Sequence, residues 1–110
     1  MSTIEMLLHG VPVKPFDVAT AATGVSSTYA LPARAGSIVW QTFFGTNPAT
    51  VQVDFEASLD GTHWDAIDSS TTVTGEVRTF ATVGGVFFRI NIVAITGGVG
   101  VSVWVTAQNL

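Results

Sequence analysis

Few side chains in this sequence can do proton, metal or nucleophile chemistry. The 110-residue chain has two histidines, His9 and His63, eight Asp+Glu, four Lys+Arg and no cysteine. The densest group is Asp60, His63, Asp65 and Asp68, with Ser58 just upstream. Carboxylates crowded at a turn are hard oxygen ligands of the kind that hold a cation, and Ser, His and Asp are the parts of a nucleophilic triad. Neither pattern is complete. His9 and His63 have no metal-ligand spacing, and no nucleophile elbow surrounds a serine. The Gly97-Gly98-x-Gly100 run lies between two strand-like segments, whereas a phosphate-cradling loop joins a strand to a helix. The lack of cysteine excludes disulfides, thiolate metal sites and a cysteine nucleophile. These residues therefore point to no enzyme, no metal and no cofactor. Asp60 is read as serving a turn, and Asp65 and Asp68 as outward or capping groups beside a buried Trp64 and Ile67.

The elements around that turn are legible from periodicity. Residues 51–59 read Val-Gln-Val-Asp-Phe-Glu-Ala-Ser-Leu, which sends Val51, Val53, Phe55, Ala57 and Leu59 to one face and Gln52, Asp54, Glu56 and Ser58 to the other. Asp60-Gly61 then favours a tight turn, because Gly61 takes φ > 0 without steric penalty, and residues 64–67 read as the return strand. Further strands are expected at 27–31, 37–44, 71–74, 76–83, 86–94 and 99–107, separated by Gly, Pro or Asn-Pro. Seven or eight short strands at such spacing, with no convincing helix, predict an all-β fold: an antiparallel β-sandwich, Ig-like or jelly-roll. Residues 25–110 form this domain. Residues 1–24 are read as an extended N-terminal arm that crosses a neighbour or covers a sheet edge, since Val11-Pro12-Val13-Lys14-Pro15 is too proline-rich for a central strand.

Composition narrows the partners. Apolar residues make up 47% of the chain and charged residues 11%, against about 25% charged in ordinary globular chains. The formal net charge of −4, with no basic run, leaves no footprint for a phosphate backbone, so nucleic acid is not an expected partner. Residues 90–110 are uncharged for about the length of a membrane span. Their apolar side chains alternate with small and polar ones, which is strand periodicity, so no membrane partner is expected either. Residues 1–10 lack the basic start and long apolar run of a signal peptide. The strand patterns also leave two aromatics out of phase. Trp104 falls opposite Val99, Val101, Val103 and Val105, and Phe87 opposite Phe88, Ile90 and Ile92. Both are candidate interface residues. Lys14 is the only lysine available to guard a sheet edge, so the uncharged stretches 35–53 and 90–110 are read as surface reserved for neighbours in a homo-oligomer.

The segment 51–67, centred on Ser58-Leu59-Asp60-Gly61-Thr62-His63-Trp64, resembles the strand, Ser-x-Asp-Gly turn and Trp pattern of small β-sandwich proteins in tailed-phage virions. The similarity continues through Phe88-Arg89-Ile90-Asn91-Ile92 and Thr96-Gly97-Gly98 into the last valine-rich strand, over about residues 26–107. Similar Asp-Gly-x-x-Trp turns occur in discoidin-like carbohydrate- or lipid-binding sandwiches. The sialidase Asp-box looks related but has one more residue between Asp and Gly. In all of these the motif implies a structural role: Ser58, Asp60 and Gly61 build the turn, and Trp64 pins the hairpin to the opposite sheet. The phage resemblance implies a non-enzymatic virion component. A capsid decoration (cement) protein is favoured, a trimer bound to the major capsid protein on the capsid surface. The alternative is a tail or head-fibre accessory module that binds a receptor or carbohydrate.

Overall fold

The structure is a computed structural model that describes residues 5–6, 11–31, 35–81 and 87–109. It is all-β, with two antiparallel sheets packed face to face and no helix among the described residues. In chain order the strands are β1 (Glu5–Met6), β2 (Val13–Ala19), β3 (Gly24–Val25), β4 (Tyr29–Ala30), β5 (Ala35–Thr46), β6 (Thr50–Ser58), β7 (Asp65–Ser70), β8 (Glu76–Ala81), β9 (Phe87–Thr96) and β10 (Val99–Asn109). One sheet runs β1-β4-β9-β6-β7, with β3 also on β9; the other runs β2-β10-β5-β8. The β1–β4 pair alone is parallel among the described pairs.

Alternation fills the space between the sheets. Val51, Val53 and Phe55 of β6 and Phe88, Ile90 and Ile92 of β9 meet Ile38 and Trp40 of β5 and Val101, Val103 and Val105 of β10, all at most 6% exposed. Phe55 is the centre of an aromatic cluster, stacked on Phe88 at 4.8 Å and edge-on to Phe80 at 5.0 Å. Tyr29 extends the stack beyond Phe88 at 5.2 Å.

Several expectations change in the structure. Residues 71–74 form a turn in place of a strand, because the chain must cross from β7 in one sheet to β8 in the other. Gly75 N–H closes that turn on Thr72 O at 3.0 Å. Residues 13–19, read as part of an arm that crosses a neighbour or covers a sheet edge, pair with β10 as an edge strand. The expected Gly84-Gly85 turn, Pro32 and His9 lie outside the described residues. The charge-free stretches do not lie at sheet edges: β5, β6, β9 and β10 are all interior strands, flanked on both sides. Their inward side chains fill the core, and their outward ones form the two outer faces of the sandwich. The true edges do carry guards against pairing. β2 has Lys14, Pro15 and two register shifts, β7 has a bulge, and β8 points Arg78 inward.

The β7 bulge decides which side chains face the core. Phe55 pairs with Asp68 and Glu56 with Ala66, so Ile67 is the unpaired extra residue. Regular alternation would bury Ile67 and expose Asp68. The extra residue reverses this: Ile67 is 48% exposed and Asp68 turns between the sheets. Leu59, expected inside, lies beyond the end of β6 and is 83% exposed.

Candidate functional site

The turn after β6 is wired by its own polar side chains. Ser58 Oγ accepts the N–H groups of Asp60 (3.3 Å) and Gly61 (2.9 Å) and donates its proton to Asp60 Oδ1 at 2.9 Å. The same Oδ1 accepts the N–H groups of Thr62 and His63 at 2.8 and 2.9 Å, and Oδ2 lies 2.6 Å from His63 Nδ1. Gly61 has φ of +78°, the conformation the turn requires. The backbone N–H groups of His63 and Thr62, then the two side-chain partners, hold the Asp60 carboxyl well below the usual carboxylate range. In return Asp60 raises His63 above the ordinary imidazole value, first by the hydrogen bond and then by its charge. Ser58 and His63 both spend their bonds on Asp60. Among the described residues no hydrogen bond joins Ser58 to the imidazole. Nor do the described residues include a group of three or more side chains able to hold a metal.

Trp64 is placed differently from the expectation. It precedes β7, is half-buried, and lies on the outer face of its own sheet, with the Arg89 guanidinium 4.5 Å from its ring centroid. It therefore pins the hairpin to β9 and not to the opposite sheet. Arg89 in turn donates to Glu56 at 2.7 Å, and Asn91 donates to the other Glu56 oxygen at 3.0 Å. Ser69 and Gln52 satisfy Asp54 nearby. This outer face carries charge, and Asp54, Glu56 and Arg89 on it are all partnered. Phe87 is half-buried at its end, with its ring 3.8 Å from the position a Cβ on Gly61 would take.

The outer face of the second sheet is the opposite case. Its outward positions on β10, β5 and β8 are Ser102, Trp104 and Thr106, then Val39, Gln41 and Phe43, then Val77, Thr79 and Ala81; none is charged. Trp104 lies at the centre, edge-on to Phe43 at 5.3 Å, with Lys14 Nζ of the edge strand 4.3 Å from its ring centroid. Beside it Pro12, Val39, Gln41, Val77, Trp104 and Thr106 line a depression of about 120 Å³. Trp104 Nε1 and Thr106 Oγ1 are buried there with no hydrogen-bond partner among the described residues. Buried donors left unpaired cost about 1–3 kcal/mol each in a finished structure.

A third constellation escaped the sequence reading. Trp40 Nε1 of β5 donates to Asp68 Oδ2 of β7 at 2.9 Å, and Arg78 of β8 grips both Asp68 oxygens at 2.9–3.1 Å. Glu76 accepts the Ser70 and Thr72 hydroxyls at 2.6 and 2.7 Å and also pairs with Arg78 at 3.2 Å. Burial pushes the Asp68 carboxyl up, but the bonds from Arg78 and Trp40 outweigh it and hold the group below its ordinary value. The two hydroxyls, with help from Arg78, do the same for Glu76. This network clasps the open side of the sandwich. Only the bulge at Ile67 brings Asp68 into it.

No protein-family model and no curated protein sequence matches the chain. Solved structures do. The SPBc2 prophage-derived protein YomS superposes with a TM-score of 0.57 at 13% identity, over 92% of this chain and 97% of that one. A structure of the Bacillus endospore appendages, a family of disulfide-linked pili, gives 0.50 at 13% identity over 91% and 84%. This chain has no cysteine and cannot share that linkage. The carbohydrate-binding module TmCBM61, solved with β-1,4-galactotriose, scores 0.43 at 12% identity. At such identities the likeness is one of fold: this chain has the two-sheet architecture of the small prophage protein over nearly its whole length.

Proposed function

We propose that the protein is a structural component of a tailed-phage virion, a non-enzymatic capsid decoration protein whose subunits assemble, as trimers, and bind the major capsid protein across capsomer boundaries on the shell surface. The observation that carries this reading is the uncharged outer face around Trp104. A protein of net charge −4 that keeps the outward positions of β10, β5 and β8 free of charge, with Lys14 of β2 the cation beside them, has a surface suited to a permanent protein neighbour. A fold shared with a prophage-derived protein supports the same reading.

Clamping needs contact area and no reacting group. Subunits joined through the Trp104 face would present the rest of their surface to the shell, and the negative charge disfavours contact with packaged DNA. Co-sedimentation with DNA-free shells of the parent phage tests this: saturable binding is expected, and protein left wholly in the supernatant overturns it. The alternative, a tail or head-fibre module that binds sugar, needs an aromatic platform. Trp40 is 1% exposed, and a cation lies over each of the other two rings, Arg89 over Trp64 and Lys14 over Trp104; of these Trp104 has uncharged neighbours on its sheet face. Glycan binding lost in Trp104→Ala would favour that alternative.

A further inference from the structure

We infer that the Trp104 face receives a second copy of this chain head-to-tail, by docking the β6–β7 hairpin tip of one subunit onto it. The inference rests on the reading of the protein as an assembling subunit and names what meets that face. The hairpin tip has the complementary chemistry. Leu59 is 83% exposed, Ile67 is 48% exposed, and together with Asp60, His63 and Asp65 they border an open groove of about 420 Å³. Asp65 has no ion-pair partner among the described residues. The receiving face offers Val77, 57% exposed, beside Trp104 and Val39. Its rim holds Lys14, the one cation among the described residues with no carboxylate partner; Arg78 and Arg89 are both paired.

Each surface therefore supplies what the other lacks. Apolar side chains are exposed on both, carboxylates border one, and an ammonium group borders the other. The two surfaces belong to different sheets of the same molecule, so one copy cannot join them internally. Docking tip to tip would set carboxylate against carboxylate. A contact between two different patches is heterologous, and copies related by such a contact close into a ring when the rotation permits.

Sedimentation equilibrium of the purified chain, without shells, tests the inference. The expected mass rises with concentration from 11.5 kDa to a multiple of it. Leu59→Asp and Lys14→Glu, both at exposed positions, should each weaken association at least tenfold. The double variant Lys14→Glu/Asp65→Lys, which swaps the two charges in every head-to-tail contact, should restore it. Because the chain is free of cysteine, single variants Leu59→Cys and Val77→Cys can be oxidised together, and the expected product is the mixed disulfide. A chain that stays monomeric, an association indifferent to both charge and Leu59 changes, or efficient Leu59→Cys homodimers would each overturn the head-to-tail contact. Monomers that still bind shells would remove this contact and leave decoration standing. Rings that ignore shells would do the reverse.

Discussion

Trp40 and Asp68 join the two sheets: an indole buried on the inner face of β5 donates its N–H to a carboxylate on the edge strand β7, over 2.9 Å. Arg78 of β8 completes the contact from the other side with a two-oxygen grip on Asp68. Asp68→Asn should therefore lower stability by about 1–3 kcal/mol, since it weakens two charge-assisted bonds and leaves Arg78 short of a partner. Urea unfolding would measure this. A double-mutant cycle with Arg78→Met should return a coupling of about 1 kcal/mol, and additive losses would deny the clasp.

The same clasp sets a pH dependence. Asp68 and Glu76 are both held below their ordinary carboxyl values. Their contribution is complete above the unfolded values and is lost as pH falls through the folded ones. Wild-type stability should thus drop on the acid side of about pH 4.5. Asp68→Asn should flatten that limb, as read from thermal midpoints between pH 6 and 3, conditions set on a scale of about one unit per step.

His63 reports the turn from the opposite direction. Its value is raised by Asp60, so the pair's contribution is full below the unfolded imidazole value and fades as pH rises through the folded one. NMR titration should place His63 above 6.5, and Asp60→Asn should bring it back towards 6.5. Asp65→Asn should move it far less, being the last of its causes.

Two glycines separate backbone strain from collision. Gly61 and Gly75 both have positive φ, +78° and +84°. A Cβ on Gly61 would meet nothing closer than Phe87 at 3.8 Å, whereas one on Gly75 would collide with the backbone oxygen of Thr42. Gly61→Ala should cost about 1–2 kcal/mol from handedness alone. Gly75→Ala should exceed it by about 2 kcal/mol, because backbone must move. Equal losses in denaturant midpoint would contradict the assignment.

Much of this was legible in residue order. Alternation in 51–59, 86–94 and 99–107 is enough to predict antiparallel strands and which side chains of β9 and β10 face inward. What stayed hidden has one physical origin. A β-bulge adds a residue without any sign in composition, and the one at Ile67 exchanges a leucine-like side chain for a carboxylate on the core face. That reversal removed Asp68, Arg78 and Glu76 from view as a network. Strand order is hidden as well: scarcity of charge in 35–53 and 90–110 fits sheet edges and interior strands alike, and the topology puts these segments inside the sheets. The uncharged face that remains is narrower and is centred on Trp104.

Decoration makes a mechanical claim about the shell, and calorimetry of DNA-free shells with and without saturating protein tests it most directly. The shell's disruption transition should move to higher temperature when the wild-type protein is bound, and Trp104→Ala, which removes the centre of the subunit contact, should lose most of the increase. A transition unchanged by bound protein would contradict it.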